Sequence, residues 1–583
     1  MLTITPQISS YKKNNLQTFG SCLLPSQNQT ANIQTPAQNE KSGNNLLEQF
    51  LKNNAMINAP AVTSVKPTQV EEVKPYKNDL RTLFLTNNVK MLAIVPRLFN
   101  AQDTNGNEYI DGNEKCGTFL NAIDRLDEVK KQGFNTLHIL PINPPGKSNA
   151  YGTAGSVYSP EDLLKLDPNL IDKNDPRSDI EQFKAFVDAC HNRGIRVMVD
   201  LPSCASFNLY EERPELMAHE RNGLAKTPQG WRDIRMFEPW EDEGKRTLNP
   251  ELLEYHRKFV DMMIDAGVDG IRADVARAKP VEFWDIIIPY SRKRNPEFAW
   301  LAETYTYEDA SPQANMPYDR PQDSLRAGFD AYYGQYHIFH EWNTAQQLHD
   351  YVIDNLNLSY DLEKGKSLIG SFATHDDKSP MLHGGTVFCN LTSGLQATLP
   401  MLNPYAVDGF QSGDYYNYSY ADKISEQTQT DSKTMKTHPY QLDIFNLSRK
   451  PGGENPEIGE FFTKAMELRD KYNDVVTRGS YIVLNKEKDK SDQVIAFARH
   501  RKGRTLLVIA NRNVNRRTAC NVIVPTLKEN QKLVNLLPGY GEKSEFQVSQ
   551  GKVAVDLGPG RIHVFEIDTP HIESYTSKVY KQH

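Results

Sequence analysis

The chain has 583 residues, 38% of them hydrophobic and 24% charged, which is the balance of a soluble globular protein long enough for more than one domain. Its net charge of −7, with no basic block, argues against nucleic acid as a partner. Six cysteines (Cys22, Cys116, Cys190, Cys204, Cys389, Cys520) are scattered without a CxxC pair, as expected of reduced, packed thiols and not of a zinc site.

No run approaches the ~20 apolar residues of a bilayer span. The first residues, MLTITPQISSYKKNNLQTFG, lack the basic start and apolar run of a secretory signal. A cytoplasmic protein with no membrane partner is the expectation.

Residues 1–75 are rich in Asn, Gln, Ser, Thr and Pro without an apolar period, so a disordered polar tail is expected there. From VKMLAIVPRLF (89–99) onward, short apolar runs alternate with amphipathic segments. In the first of these, GTFLNAIDRLDEVKKQG, the spacing of Phe119, Leu120, Ile123, Leu126 and Val129 predicts one buried helical face. NTLHILPI, SDIEQFKAFVDACHNRG, IRVMVDLPS, NPELLEYHRKFVDMMIDAG, VDGIRADVA, PVEFWDIIIPYSRKR and FAWLAETY continue the alternation, and weaker pairs extend to about residue 470.

Near-continuously apolar strands between helices imply a parallel sheet covered on both faces. Roughly eight such units suit an α/β fold of the (β/α)8 TIM-barrel type over residues 76–477. Past residue 478 the pattern turns to Val/Ile-rich strands with turn signals, which predicts a C-terminal antiparallel β-sandwich domain over 478–570, then a polar tail at 571–583.

In such a barrel, side chains at the C-terminal ends of the strands converge on one mouth. Four predicted strands end in an acid: Asp200 in VMVDLPS, Asp274 in IRADV, Glu303 in WLAETY and Asp376 in SFATHDD. A single carboxylate at a strand end is more often a helix cap. Four on converging strands, with Arg272 and His375 beside two of them, are not explained by capping. Carboxylates crowded into one cleft push their pKa values apart, so one keeps a proton while another stays ionised. Retaining glycoside cleavage requires that pair: a nucleophile and a proton donor about 5–5.5 Å apart. Asp274 and Glu303, on neighbouring strands, suit it.

These motifs resemble those of glycoside hydrolase family 13, the α-amylase family. DGIRAD is similar to its nucleophile segment, LAE to its acid segment and THD to its third carboxylate segment, in matching order. The resemblance covers residues 89–568. It implies Asp274 as nucleophile, Glu303 as general acid/base and Asp376 as the carboxylate that grips sugar hydroxyls, with Asp377 its competitor for that place. It further implies that Arg272 orients Asp274, His375 bonds the substrate, Asp200 buttresses the site and Tyr158 is a sugar-stacking platform. The implied partner is an α-glucan or maltooligosaccharide.

Two places depart from the family. The Asn-His that usually ends its third-strand motif is Cys204-Ala205, and the Lys-His that often comes after the nucleophile is Arg277-Ala278. The stretch ARAKPVEFWDIIIPYSRKRNPEFAWLAETYT instead resembles the family's maltosyltransferases, which carry a Lys-Pro here, matched by Lys279-Pro280. Those enzymes, however, usually lack the His-Asp of the fourth motif. The first reading is therefore a retaining α-1,4-glucan hydrolase with a covalent glycosyl-enzyme intermediate. Maltosyl or other glucan transfer is its alternative, and a catalytically silent carbohydrate-binding protein of the same fold a second.

After the first strand, DTNGNEYIDGNE places oxygens of Asp103, Asn105, Asn107 and Asp111, with the Tyr109 carbonyl, where they could surround Ca²⁺ or Mg²⁺. Several family members hold Ca²⁺ after this strand, so a structural metal ion is expected; an Asx-rich turn is the other reading. Nothing in the sequence calls for an organic cofactor or fixes the oligomeric state.

Overall fold

A computed structural model of the chain describes residues 76–102, 114–150, 156–228, 231, 233–304, 321–360, 366–414, 455–539 and 545–582. The tail expected at 1–75 lies outside these residues.

Eight parallel strands close into a barrel in sequential order: β1 Met91–Ile94, β2 Thr136–Ile139, β3 Arg196–Leu201, β4 Gly270–Ala273, β5 Ala299–Ala302, β6 Ala331–Tyr332, β7 Ser367–Gly370 and β8 Leu402–Val407. The α/β barrel expected from the alternating pattern is the fold found. Strands such as β1 and β5 are buried on both faces, which explains runs like MLAI and AWLA that do not alternate. Met91, Ala93, Met198, Leu301, Ile369 and Tyr405 fill the interior. Leu92, Ile94, Leu137, Val197, Val199, Ile271 and Trp300 face the surrounding helices.

Those helices start where the sequence places caps. Ser178 and Glu181 form a capping box on Asp179–His191, and the Asn249 side chain accepts the Glu251 and Leu252 amides at the start of Pro250–Asp265. Val281–Arg294 comes after β4 and tolerates Pro289 in its third turn.

The segment after β1 differs from expectation. Phe119–Ala122 and Leu126–Lys131 are helical, but Ile123–Arg125 between them is a tighter 3₁₀ turn. The buried stripe is Phe119, Ala122, Leu126 and Val129, with Leu120 and Ile123 only half-buried. The cause is Arg125, whose guanidinium is drawn into the protein to meet Asp408 at 2.9 and 3.0 Å.

Beyond the helices Pro456–Lys471 and Asn473–Arg478, two five-stranded sheets enclose a separate core containing Ile482, Ala496, Ile509, Val522, Val553 and Phe565. Pairing within both is antiparallel, as expected of the C-terminal domain. Val579–Tyr580, within the stretch expected to be a polar tail, pair with Tyr481 and Ile482 as an edge strand. Arg499, fully buried, donates to the carbonyls of Thr398 and Gly479 and so ties this domain to the barrel. No helix among the described residues is long and apolar enough to cross a membrane.

Candidate active site

Strand register explains why the chain buries Arg272. Asp200 on β3 is the direct partner of Arg272 on β4, and both point into the barrel. The ladder continues one residue past the strands: the Asp274 amide donates to the Leu201 carbonyl and the Glu303 amide to the Ala273 carbonyl. Because side chains alternate along a strand, Asp274 comes out on the same side as Arg272. The pairing of Ala273 with Ala302 then sets Asp274 and Glu303 level at the C-terminal mouth.

The Arg272 guanidinium, fully buried, is the centre of this group. One of its terminal nitrogens, Nη1, donates to Asp200 at 2.8 and 2.9 Å and to Asp274 Oδ1 at 3.0 Å. Its other terminal nitrogen stands 2.8 Å from Glu303 Oε2. The guanidinium also lies over the rings of Tyr333 and Tyr158 at 5.1 and 5.8 Å, a favourable placement for a cation.

Each carboxylate has a second anchor. Asp274 Oδ2 accepts the Ser203 amide at 3.0 Å and hydroxyl at 2.8 Å. Glu303 Oε2 accepts the Val275 amide at 2.7 Å. Val275 holds a left-handed conformation (φ +35°), a strained state for a β-branched residue that turns its amide toward Glu303 directly after Asp274. Asp200 Oδ2 accepts the Tyr158 hydroxyl at 2.7 Å, and that hydroxyl lies 2.6 Å from His375 Nε2. The Tyr158 and His375 rings stack 14° from parallel.

The structure separates the two neighbouring acids of the fourth motif. Asp377 Oδ2 accepts the Thr374 amide and hydroxyl at 2.8 and 2.9 Å, closing its own loop. Asp376 keeps 39% of its side chain open to solvent and comes within 3.5 Å of His375 Nε2. Asp376 is also near enough to Glu303 and Asp274 for their charges to act on it.

Crowding sets their proton affinities. Burial, then the charges of Glu303 and Asp200, push the Asp274 carboxyl up to about 7 against the pull of Arg272. The dense protein surroundings of Asp376, and after them the Glu303 charge, raise it well above the ordinary carboxylate value. Asp200 goes the other way: burial opposes its charge, but Arg272 and His138 outweigh burial and hold it low. One acid in the group is thus a fixed anion, while Asp274 and Asp376 both hold a proton more readily than an ordinary carboxylate.

All seven residues expected at the site, Asp200, Arg272, Asp274, Glu303, His375, Asp376 and Tyr158, are therefore in one connected group. Three more belong to it that the sequence did not single out as site residues. His138, fully buried on β2 with Nε2 3.4 Å from Asp200, is a polar residue in the apolar run NTLHILPI; attention to acids alone passes over it. Ser203 carries no signal in sequence. Lys279 stands out there only as part of a family pattern.

Cys204, at the place of the family's Asn, is buried on a short ribbon, Cys204–Ser206 paired with Ile234–Met236, and burial pushes its thiol up to about 12. The expected metal ligands Asp103, Asn105, Asn107, Tyr109 and Asp111 lie outside the described residues. Among the described residues no group of three or more His, Cys, Asp or Glu side chains could hold a metal ion.

No protein-family model matches the chain. It is 24% identical over 427 residues to an alpha-1,4-glucan:maltose-1-phosphate maltosyltransferase of Bifidobacterium animalis subsp. lactis, covering 69% of this chain and 53% of that protein. A maltosyltransferase of the same name from Cereibacter sphaeroides is 26% identical over 371 residues, 58% of this chain and 52% of that one. The chain thus spans about half the length of the curated relatives it matches. Among solved structures, a maltogenic alpha-amylase from Thermotoga neapolitana superposes with a TM-score of 0.60 at 20% identity, covering 83% of this chain and all of that one. An alpha-amylase from Lactobacillus plantarum gives 0.61 at 20% identity with the same coverage. The resemblance read from the strand-end motifs agrees with both comparisons: this chain has the α-amylase fold and is similar in sequence to proteins named as maltosyltransferases.

Proposed function

We propose that the protein is a retaining α-glucan-active enzyme that transfers a glycosyl unit, by way of a covalent intermediate on Asp274, to a sugar acceptor. The observation that carries this reading is the single buried guanidinium of Arg272 engaging Asp200, Asp274 and Glu303 at once. That arrangement holds two functional carboxylates level at the barrel mouth while a third balances the charge.

In the proposed cycle Asp274, ionised, attacks the anomeric carbon as Glu303 gives its proton to the departing glycosidic oxygen. Glu303, now a carboxylate, then takes the proton of the incoming hydroxyl, whose oxygen displaces Asp274 from the anomeric carbon. Asp376 and His375 would hold sugar hydroxyls, and Tyr158 would shape the floor through its bonds to Asp200 and His375. The requirement that Asp274 be ionised sets the lower pH limit of the first step.

From sequence, hydrolysis stood first. The names of the relatives favour its alternative, transfer, as do Lys279-Pro280 and the loss of the third-strand histidine. Both outcomes share the same intermediate, so product analysis decides between them: incubation with maltooligosaccharides, with and without phosphate. Longer oligomers at constant reducing-end number are expected. A rise in reducing ends without longer products would return the reading to hydrolysis, and unchanged substrate in both conditions would leave a non-catalytic carbohydrate binder.

A further inference from the structure

Lys279 is only 1% exposed. The chain reaches it by a tight path: after Asp274 it passes the left-handed Val275 and a 3₁₀ turn, Ala276–Ala278, before doubling back beneath the mouth. There the Lys279 ammonium donates to the Ser203 carbonyl at 3.2 Å, between the rings of Phe237 (5.1 Å) and Phe283 (5.9 Å). Burying a charge in such a place is unfavourable unless it is well partnered. A methionine would fill the same space without that cost. The charge therefore calls for a role beyond packing.

Ser203 supplies it. Its carbonyl meets Lys279, while its amide and hydroxyl both meet Asp274 Oδ2. The residue bridges a loop after β3 to the acid after β4, and Lys279 is what fixes the bridge from below. We propose that Lys279 is a positioning residue for the nucleophile: it pins the Ser203 backbone so that the Ser203 amide and hydroxyl keep the Asp274 carboxylate aimed and ionised. The proposal rests on the reading of Asp274 as nucleophile.

The surroundings agree with a charge that is held in place by its partner and not by solvent. Burial lowers the Lys279 ammonium to about 8, against the opposing influence of Cys204 and Asp274, and His256 of the Pro250–Asp265 helix, itself kept neutral by burial, faces it. Asp274 is faced by Arg272, Glu303, Asp200 and Ser203 as well as by Lys279, and the Asp376 carboxyl also stands within range. Loss of Lys279 leaves Arg272 as the cation beside Asp274 and frees Ser203 to turn away, so the ionised nucleophile is disfavoured.

The test is the rate of adduct formation on Asp274 with 2-deoxy-2-fluoro-α-maltosyl fluoride, whose adduct breaks down slowly enough to accumulate, measured by peptide mass spectrometry across a pH series, in wild type, Lys279→Met and Ser203→Ala. In Lys279→Met the rate at about pH 6 should fall about tenfold or more, about 1.4 kcal/mol of barrier. Its acid limb should move to higher pH, and kcat should fall with little change in KM. Ser203→Ala should move the limb in the same direction. A purely structural lysine would lower the yield of folded enzyme without moving the limb. A folded Lys279→Met with wild-type rate and limb overturns the proposal. If Lys279→Met does not fold, a wild-type limb in Ser203→Ala overturns it and a raised limb supports it. Absence of any adduct in the wild type removes the nucleophile reading itself, and this proposal with it.

Discussion

Both ends of the barrel bury aspartates beside arginines, but they finish them differently. At the N-terminal end, Asp330, fully buried just before β6, accepts from Arg81 at 3.2 Å, from Arg292 at 2.8 Å and from the Trp300 amide at 2.9 Å. Asp269, just before β4, is closed in the same way by the Tyr76 hydroxyl, His191 and the Val197 amide, each at 2.8 Å. Three partners surround each acid, two of them arginines at Asp330. At the C-terminal end the ratio is reversed, with one guanidinium serving three carboxylates and a fourth standing half-exposed nearby. The first arrangement locks strand ends together. The second leaves acids that repel one another, which is unfavourable for stability and useful for chemistry.

The largest effects are expected at Asp274 and Glu303. Asp274→Ala and Glu303→Gln should each lower turnover of a maltooligosaccharide at least about a thousandfold, on the order of 4 kcal/mol of barrier, with circular dichroism unchanged. Wild-type-like turnover in either would place the chemistry elsewhere. Asp330→Ala should do the opposite. It strands two arginines and should cost about 3–5 kcal/mol of stability, read as a lower melting temperature, while the folded fraction keeps its turnover.

A pH series sharpens the contrast. The Asp274 carboxyl is raised from its ordinary value to about 7 in the folded protein. Its contribution to stability is therefore whole below about pH 4 and is lost as pH rises through 7. Asp274→Asn, neutral throughout, should melt near the wild-type temperature at about pH 4 and above it by an amount that grows to about pH 7 and then levels, reaching a few kcal/mol. For turnover the sign runs the other way: with Asp274 in the proposed role, the wild-type rate should rise toward about pH 7 as its carboxyl ionises. The smallest expected effect belongs to the Asp103–Asp111 loop. If it holds Ca²⁺, as its sequence suggests, chelation should lower the melting temperature by about 2–4 °C and calcium should restore it.

Much of the fold and the site is legible in the sequence, for identifiable reasons. Strands buried on both faces leave short apolar runs between amphipathic helices, a pattern that few architectures besides a covered parallel sheet produce, and acids at the ends of such runs are conspicuous. Asp200, Asp274 and Glu303 stand out on that ground. Sequence favours Asp376 over Asp377 only by the His-Asp match, and what distinguishes the two acids in the fold is that Asp377 accepts the Thr374 amide and hydroxyl. His138 and Ser203 act through contacts between residues 62 and 71 positions apart, His138 with Asp200 and Ser203 with Asp274, and no local pattern encodes those. The helix after β1 departs from its expected face at Leu120 and Ile123 because periodicity does not show that Arg125 turns inward to Asp408.

Double displacement at Asp274 fixes the anomeric configuration of the first-formed product. Proton NMR during the first turnovers of a maltooligosaccharide should show the new bond or hemiacetal in the α configuration, because two displacements restore the starting stereochemistry. A product that appears first as the β anomer would mean a single displacement by the acceptor, and would contradict a covalent intermediate on Asp274.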